Sequence, residues 1–132
     1  MNKDFFKTTK ILDGGMGQEL LARGMKPKGT LWSANALVDE KYHNLILDIH
    51  NDFIKSGADV IVTTTFTTRR KRLRENGIED QFKYLNQKAC EIAQKAKSNN
   101  PNVKIAGGLP PQNLTYEEDK SCLLYTSPSP RD

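Results

Sequence analysis

Residues 60–65 (VIVTTT) form the feature that most constrains the fold, because every one of them is β-branched. The run shows no alternation of apolar and polar side chains, which is typical of a parallel strand buried on both faces. Parallel strands are joined by crossover connections, usually helices. The run therefore predicts an α/β fold with helices on either side of this strand.

Two long helices are predicted around this strand. The first covers residues 40–56, where apolar side chains recur at spacings of three and four. Asp39 is the expected N-cap of this helix, and Gly57 is expected to end it. The second helix covers residues 79–97 and has the same apolar spacing.

Shorter elements complete a repeated order of strand and helix. Residues 8–13 and 103–106 predict two further strands, and residues 18–23 predict a short helix. Residues 31–37 are apolar enough to pack, with Trp32 as the expected anchor. Right-handed crossovers would make the three strands parallel. This order is compatible with a (β/α)₈ barrel or with an open doubly wound sheet.

Polar and glycine-rich residues follow each predicted strand, at positions 13–15, 64–66 and 107–109. In both architectures ligands bind at the carboxyl ends of the strands, so we expect these clusters to converge on one face. The Asp13 carboxylate can accept hydrogen bonds from an ammonium group, and glycines let the backbone approach a ligand. The pattern predicts a site for a small amino acid, although Asp13 is also a candidate helix cap.

A dinucleotide-binding loop is the main alternative for the first glycines. Its fingerprint needs a third glycine or alanine where the helix packs on the strand. Counting from Gly15, the series continues with Gly17 and then with the bulky Leu20. Asp13 would also repel a pyrophosphate, so the sequence disfavours this alternative.

Five segments, taken in order, resemble the N-terminal part of the homocysteine S-methyltransferase family. They are residues 13–16 (DGGM), 31–34 (LWSA), 57–61 (GADVI), 64–66 (TTF) and 106–111 (AGGLPP). The resemblance covers about residues 8–118 and implies that residues 1–121 are the first three β/α units of a truncated (β/α)₈ TIM barrel. It also implies that Asp13 and Gly14 hold the amino acid part of homocysteine. Thr65 is implied to line the same site, although it is equally interpreted as a buried strand residue.

The resemblance further implies an enzyme that binds homocysteine as a zinc thiolate and methylates it to methionine. A reduced, cytoplasmic setting is expected because the two cysteines form no disulfide framework. The family's zinc ligands are three cysteines that would lie beyond the end of this chain, so no residue is assigned to the metal or to catalysis. Cys90 is expected to be a buried or half-buried structural thiol. The alternative function is an amino-acid-binding barrel without zinc–thiolate chemistry.

The methyl donor is not fixed by these motifs. Residues 109–111 with Tyr116 nearby resemble stand-alone bacterial-type members of the family, which favours a sulfonium donor, S-methylmethionine or S-adenosylmethionine.

Residues 122–132 differ from everything before them and resemble the translation of a transposase-based sequencing-library adapter, with which all eleven codons agree. A natural Ser/Pro linker is the alternative. If the tail is an adapter, the natural protein continues beyond Ser121. We then expect the fragment to be poorly folded and inactive, because three parallel strands leave unpaired edges.

Charge and hydropathy exclude several other classes of protein. The 132 residues carry a net charge of +4 and a mean hydropathy of −0.65, so we expect no membrane span. Residues 1–7 lack the longer apolar run of a signal peptide, so none is expected. The basic residues 69–74 are interpreted as a solvated face, because acidic residues follow and no aromatic residues interleave. We therefore expect no nucleic-acid partner. Cys90 and Cys122 share no metal-ligand spacing.

Overall fold

The structure is a computed structural model, and it describes residues 3–110 of the chain. The α-helices of this part are α1 (Met16–Ala22), α2 (Asn35–Val38), α3 (His43–Lys55), α4 (Arg70–Glu75) and α5 (Phe82–Ser98). Short 3₁₀ segments cover Lys3–Lys7, Trp32–Ala34, Glu40–Tyr42 and Glu79–Gln81. The strands are β1 (Val60–Val62) and β2 (Lys104–Ala106). None of the helices within residues 3–110 has the length and apolar character of a membrane span.

The strands run in parallel, as predicted. Ile61 of β1 lies opposite Ile105 of β2, and Leu12 forms a parallel bridge to Val60 on the other edge of β1. The helices α3 and α5 lie in the two connections between these three segments. The α/β class and the parallel order are therefore confirmed. The predictions for Tyr116 and for residues 122–132 lie outside the described residues.

The first predicted strand, residues 8–13, is reduced to the bridge at Leu12, so its predicted length was wrong. Val60 N donates to Ile11 O at 3.2 Å, and Asp13 N donates to Val60 O at 3.0 Å. Ile11 and Leu12 are 58% and 62% exposed. No further strand pairs with this segment among residues 3–110. Its backbone is held by these bonds to β1 and by Asp59 just before β1, whose N donates to Ile11 O at 2.8 Å and whose Oδ2 accepts from Ile11 N at 2.9 Å.

The two long helices match the prediction closely. Asp39 Oδ1 accepts a hydrogen bond from Lys41 N at 3.3 Å and caps the 3₁₀ turn that leads into α3. Gly57 ends this helix with a φ of +107°, a conformation that favours glycine. The helix predicted over residues 79–97 is a 3₁₀ turn followed by α5, which ends at Ser98.

The core lies between the helices and the covered face of the strands. Its largest fully buried apolar side chains are Leu20, Leu37, Ile46, Ile49, Ile61, Leu73 and Leu85. Trp32 does not anchor residues 31–37, so this prediction was wrong: the residue is 40% exposed. The neighbouring Leu31 and Leu37 fill the core instead, whereas Trp32 has a φ of +50° and lies against Gly17.

Candidate functional site

The carboxylate of Asp13 lies at the carboxyl end of the first strand segment. Its Oδ2 accepts a hydrogen bond from Val62 N at 2.8 Å, and the side chain does not cap α1. Burial raises the pKa of Asp13, while the hydrogen bond from Val62 opposes that rise. A carboxylate has about four acceptor positions. The bond to Val62 therefore fixes the group and leaves acceptor capacity for a ligand.

Gly14 has a packing role that the sequence did not reveal. A Cβ at this position would lie 2.8 Å from Cε1 of Phe53, which is a side chain of α3. A larger residue would therefore push the ring or the backbone away. This contact accounts for the glycine structurally, and its predicted role toward homocysteine stays a prediction.

Thr65 lies where the ends of β1 and β2 meet. It is buried, its Oγ1 is 3.0 Å from Oγ1 of Thr63, and a Cβ built on Gly108 would lie 3.8 Å from it. Thr63 N donates to Ala106 O at 2.9 Å. The strand predicted over residues 60–65 ends earlier than expected, because β1 stops at Val62. Asp13 accepts a hydrogen bond from Val62 at the same end of β1. The polar clusters at residues 13–15, 64–66 and 107–109 therefore converge at the carboxyl ends of the strands, as predicted.

A cleft of about 430 Å³ lies beside this edge and was not predicted. Its lining consists of glycines, hydroxyl groups, two aromatic rings and two arginines: Gly15, Gly17, Gln18, Thr30, Trp32, Phe66, Thr67, Arg69 and Arg72. This volume is typical of small-molecule sites, which span about 300–1,000 Å³. The exposed rings of Trp32 and Phe66 give the cleft an apolar surface next to its cationic groups.

Thr67 joins the two segments that form the cleft. Its Oγ1 donates to Leu31 O at 2.7 Å and accepts from Ala34 N at 3.0 Å. These bonds hold the turn that carries Trp32 against the turn that follows β1. The threonines that directly follow the buried strand are the sequence signal that points to this contact. The partners of Thr67 are more than thirty residues away in sequence, so spacing alone could not predict the contact.

The basic run at residues 69–74 is only partly a solvated face. Arg74 is exposed and pairs with Glu79, with Nε to Oε2 at 2.6 Å. Arg69 is only 9% exposed, and Arg72 lines the cleft, so for these two residues the prediction was wrong. The reason is that Arg72 lies on α4 and Arg69 directly before it, and the fully buried Leu73 draws this helix onto the core.

The described residues do not fit a metal site. Residues 3–110 contain no group of three or more His, Cys, Asp or Glu side chains that could hold a metal ion. Cys90 is exposed on α5, so the prediction of a buried or half-buried thiol was wrong. Its neighbours Ala89 and Ala93 occupy the buried side of the helix, and the helical period turns Cys90 away from it. Cys122 lies outside the described residues.

The fold and the site define an α/β protein with a fixed carboxylate at the carboxyl ends of its parallel strands and a cleft of about 430 Å³ beside it. The family model of homocysteine S-methyltransferase matches residues 10–129, and the chain belongs to this family.

Individual relatives support the assignment. The chain is 33% identical over 109 residues to a homocysteine S-methyltransferase of Escherichia coli, covering 76% of this chain and 34% of that protein. It is 31% identical over 110 residues to an S-methylmethionine–homocysteine S-methyltransferase of Rattus norvegicus, covering 83% of this chain and 28% of that protein.

A solved structure also matches. The metallated form of the homocysteine methyltransferase MmuM from Escherichia coli aligns with a TM-score of 0.69 and 32% identity. The alignment covers 82% of this chain and 40% of that one. The chain therefore spans between 28% and 40% of the length of these relatives.

Proposed function

We propose that the protein containing this chain transfers a methyl group to the thiol of homocysteine and so forms methionine. The observation that carries the proposal is the Asp13 carboxylate, fixed by Val62 at the strand end in a member of this family. In the transfer, the acceptor sulfur forms a bond to the methyl carbon, and the bond from that carbon to the donor breaks. The thiol proton is lost before the attack, and the donor leaves with the bonding electron pair.

The amino acid part of homocysteine is proposed to bind at this corner. Asp13 would accept hydrogen bonds from the substrate ammonium. Such bonds are stronger than neutral ones because both groups are charged. The backbone of Gly14 would approach the substrate closely, since no side chain intervenes. Thr65 would contribute its hydroxyl from the turn after β1, where it lies beside Thr63.

The three β/α units are proposed to belong to a (β/α)₈ barrel. Such a barrel takes about 250 residues, and the parallel order of the strand segments is the order that the barrel requires. Zinc dependence is proposed from the family resemblance alone, with ligands beyond the end of this chain. When bound, zinc would lower the pKa of the substrate thiol. Because residues 3–110 do not fit a metal site, we assign no step to a metal in them.

The cleft beside the corner is proposed to hold the methyl donor. A sulfonium is attracted to the face of an aromatic ring, and Trp32 and Phe66 expose theirs next to Gly15. S-methylmethionine or S-adenosylmethionine is therefore the favoured donor. The relative from Rattus norvegicus that carries S-methylmethionine in its name supports this choice.

The test uses the protein encoded by the complete reading frame. Purified protein is supplied with zinc, homocysteine and, in turn, S-methylmethionine, S-adenosylmethionine, betaine or methyl-folate, and methionine is measured. We expect Asp13→Asn to lower kcat/KM for homocysteine by about 10- to 100-fold. Asp48→Asn, the same change at an exposed position of α3, should leave it unchanged. The 132-residue chain alone should transfer no methyl group.

The alternative, an amino-acid-binding barrel without zinc–thiolate chemistry, predicts a different result. The full-length protein would then bind homocysteine in calorimetry, release no methionine with any donor, and lack a separate cysteine and an adjacent cysteine pair. A cytoplasmic location and the lack of a nucleic-acid partner stay predictions. Retention on heparin that disappears when the arginines of residues 69–74 become glutamines would contradict the second.

A further inference from the structure

We propose that Arg72 binds the carboxylate of the methyl donor, so that the cleft selects sulfonium donors that carry an acid group. This inference rests on the proposed function, because it assigns a specificity residue to the donor cleft. Arg72 lies outside the five sequence motifs, in the basic run of residues 69–74.

The charge of the cleft favours a donor that carries an acid group. Two guanidinium groups, those of Arg69 and Arg72, line it, and no Asp or Glu is among the described residues of the lining. A sulfonium cation would be repelled by such a wall if it entered alone. A donor that also carries a carboxylate brings the opposite charge, and guanidinium groups match carboxylates in geometry as well as charge.

The side chain of Arg72 is held in place by hydrogen bonds. Its Nη1 donates to Thr30 O at 3.1 Å. Asn76 braces both ends of that contact, with Nδ2 2.8 Å from Thr30 Oγ1 and 2.8 Å from Arg72 O. The guanidinium is therefore preorganised across the wall of the cleft, which lowers the entropy lost when a ligand binds.

The guanidinium of Arg72 has N–H groups that are available to a ligand. Its Nε is buried and has no hydrogen-bond partner among residues 3–110. A guanidinium is always charged and has five N–H donors. An unpaired charged donor is costly, so a ligand oxygen that accepts from the guanidinium N–H groups at the cleft wall would bind with a favourable change in free energy. A carboxylate offers that oxygen with a full negative charge.

The test compares S-methylmethionine with its carboxamide, which keeps the sulfonium and removes the charge of the acid. The full-length enzyme should prefer the acid by about 10- to 100-fold in kcat/KM. Arg72→Gln should reduce this preference to less than about threefold, with the loss falling on the acid donor. Arg74→Gln, an equal charge change outside the cleft lining on the same helix, should keep the full preference.

Further measurements distinguish donor binding by Arg72 from a role toward the acceptor or in folding. The KM of homocysteine should not change in Arg72→Gln; a rise there would assign the guanidinium to the acceptor carboxylate and overturn the inference. Equal use of both donors by the unmutated enzyme would also overturn it, and this comparison needs no variant. Arg72→Lys, which keeps the charge and loses the planar fork, should give an intermediate preference, and thermal unfolding checks that each variant folds.

Calorimetry distinguishes a failure of this inference from a failure of the proposed function. S-methylmethionine should bind the unmutated protein about 10- to 100-fold more tightly than Arg72→Gln. If this difference is measured but no methionine forms, the donor site stands and the proposed methyl transfer fails. If methionine forms but the two binding constants agree, Arg72 does not bind the donor carboxylate.

Discussion

The first strand segment and the paired strand β1 belong to the same sheet, but they are held very differently. Leu12 forms a single bridge and is 62% exposed, whereas Ile61 of β1 is fully buried. Ile61 packs with Ala93 and Ala96 of α5, and a second strand pairs with β1. The predicted substrate residue Asp13 lies on the weakly held segment.

The difference shows how a rigid element positions a site on a less stable one. The carboxylate of Asp13 is oriented by Val62 N, which belongs to the well-packed strand. The turn that carries Trp32 is likewise held by Thr67, which follows that strand. Sites on rigid elements keep their geometry better than sites on loops, so we expect β1 and the turn after it to determine the precision of both halves of the site.

The largest expected effect is on stability. It tests whether the first strand segment is still more weakly held than β1 in the longer protein. Ile61→Ala should lower the free energy of unfolding by about 2–5 kcal/mol, because it leaves a cavity in a closed core. Leu12→Ala tests the barrel. If a further strand covers the first segment there, the cost should also exceed about 2 kcal/mol. Equilibrium unfolding in urea measures both.

A cost below about 0.5 kcal/mol for Leu12→Ala in the full-length protein would contradict barrel closure and favour an open sheet. A small effect of Ile61→Ala would instead contradict the core described here. The two outcomes are separable, since the side chains lie on different elements and share no partner in the packing clusters.

The next effect comes from a buried histidine and grows as the pH falls. His50 of α3 is fully buried, and neither ring nitrogen has a hydrogen-bond partner among residues 3–110. Burial lowers the pKa of His50 from 6.5 to about 4. Between these values the unfolded chain binds the proton and the folded one does not, so stability falls with falling pH. Its loss from pH 7 to pH 4 should be about 3 kcal/mol.

Unfolding free energies between pH 4 and 7 check this prediction. His50→Leu should remove most of the slope, because the group that charges on unfolding is gone. His43→Gln is the matched control at the other histidine of α3, whose ring Nε2 lies 2.9 Å from Leu37 O. The prediction fails if both variants keep the slope of the unmutated protein.

Local patterns predicted the helices and the strand order because their causes are local. The apolar spacing of residues 40–56, the Asp39 cap and Gly57 all act within a few turns, and the structure has α3 where they place it. The position of Asp13 at the strand ends followed from topology, since parallel strands bring their carboxyl ends together. Its bond to Val62 could not be predicted, because 49 residues separate them in sequence.

The errors have tertiary causes. Trp32 was expected to anchor residues 31–37 because that segment is apolar, but Leu31 and Leu37 occupy the core and Trp32 lines the cleft. Arg69 and Arg72 were expected in solvent because acidic residues follow them and no aromatic residues interleave, but Leu73 draws α4, and Arg69 directly before it, onto the core. In each case the side chain is amphipathic, and packing by its neighbours decides which part of it is covered.

The smallest stability effect separates the packing role of Gly14 from its predicted binding role. Gly14→Ala should cost about 1–3 kcal/mol, because the new Cβ overlaps the ring of Phe53. Gly15→Ala is the control: its Cβ would lie 3.6 Å from Cγ of Gln18, an ordinary contact, so little change is expected. Phe53→Leu combined with Gly14→Ala should recover part of the cost, and a double-mutant cycle gives the coupling.

Homocysteine affinity in the double variant decides between the two roles. If the glycine serves only the packing of Phe53, relief of the overlap should restore binding to the level of Phe53→Leu alone. If the backbone of Gly14 must approach the substrate, the added methyl group still blocks that approach, and calorimetry should show weak binding even though stability has recovered. The second result is the one that the proposed substrate corner predicts, because Asp13 and Gly14 would then act on the same ligand.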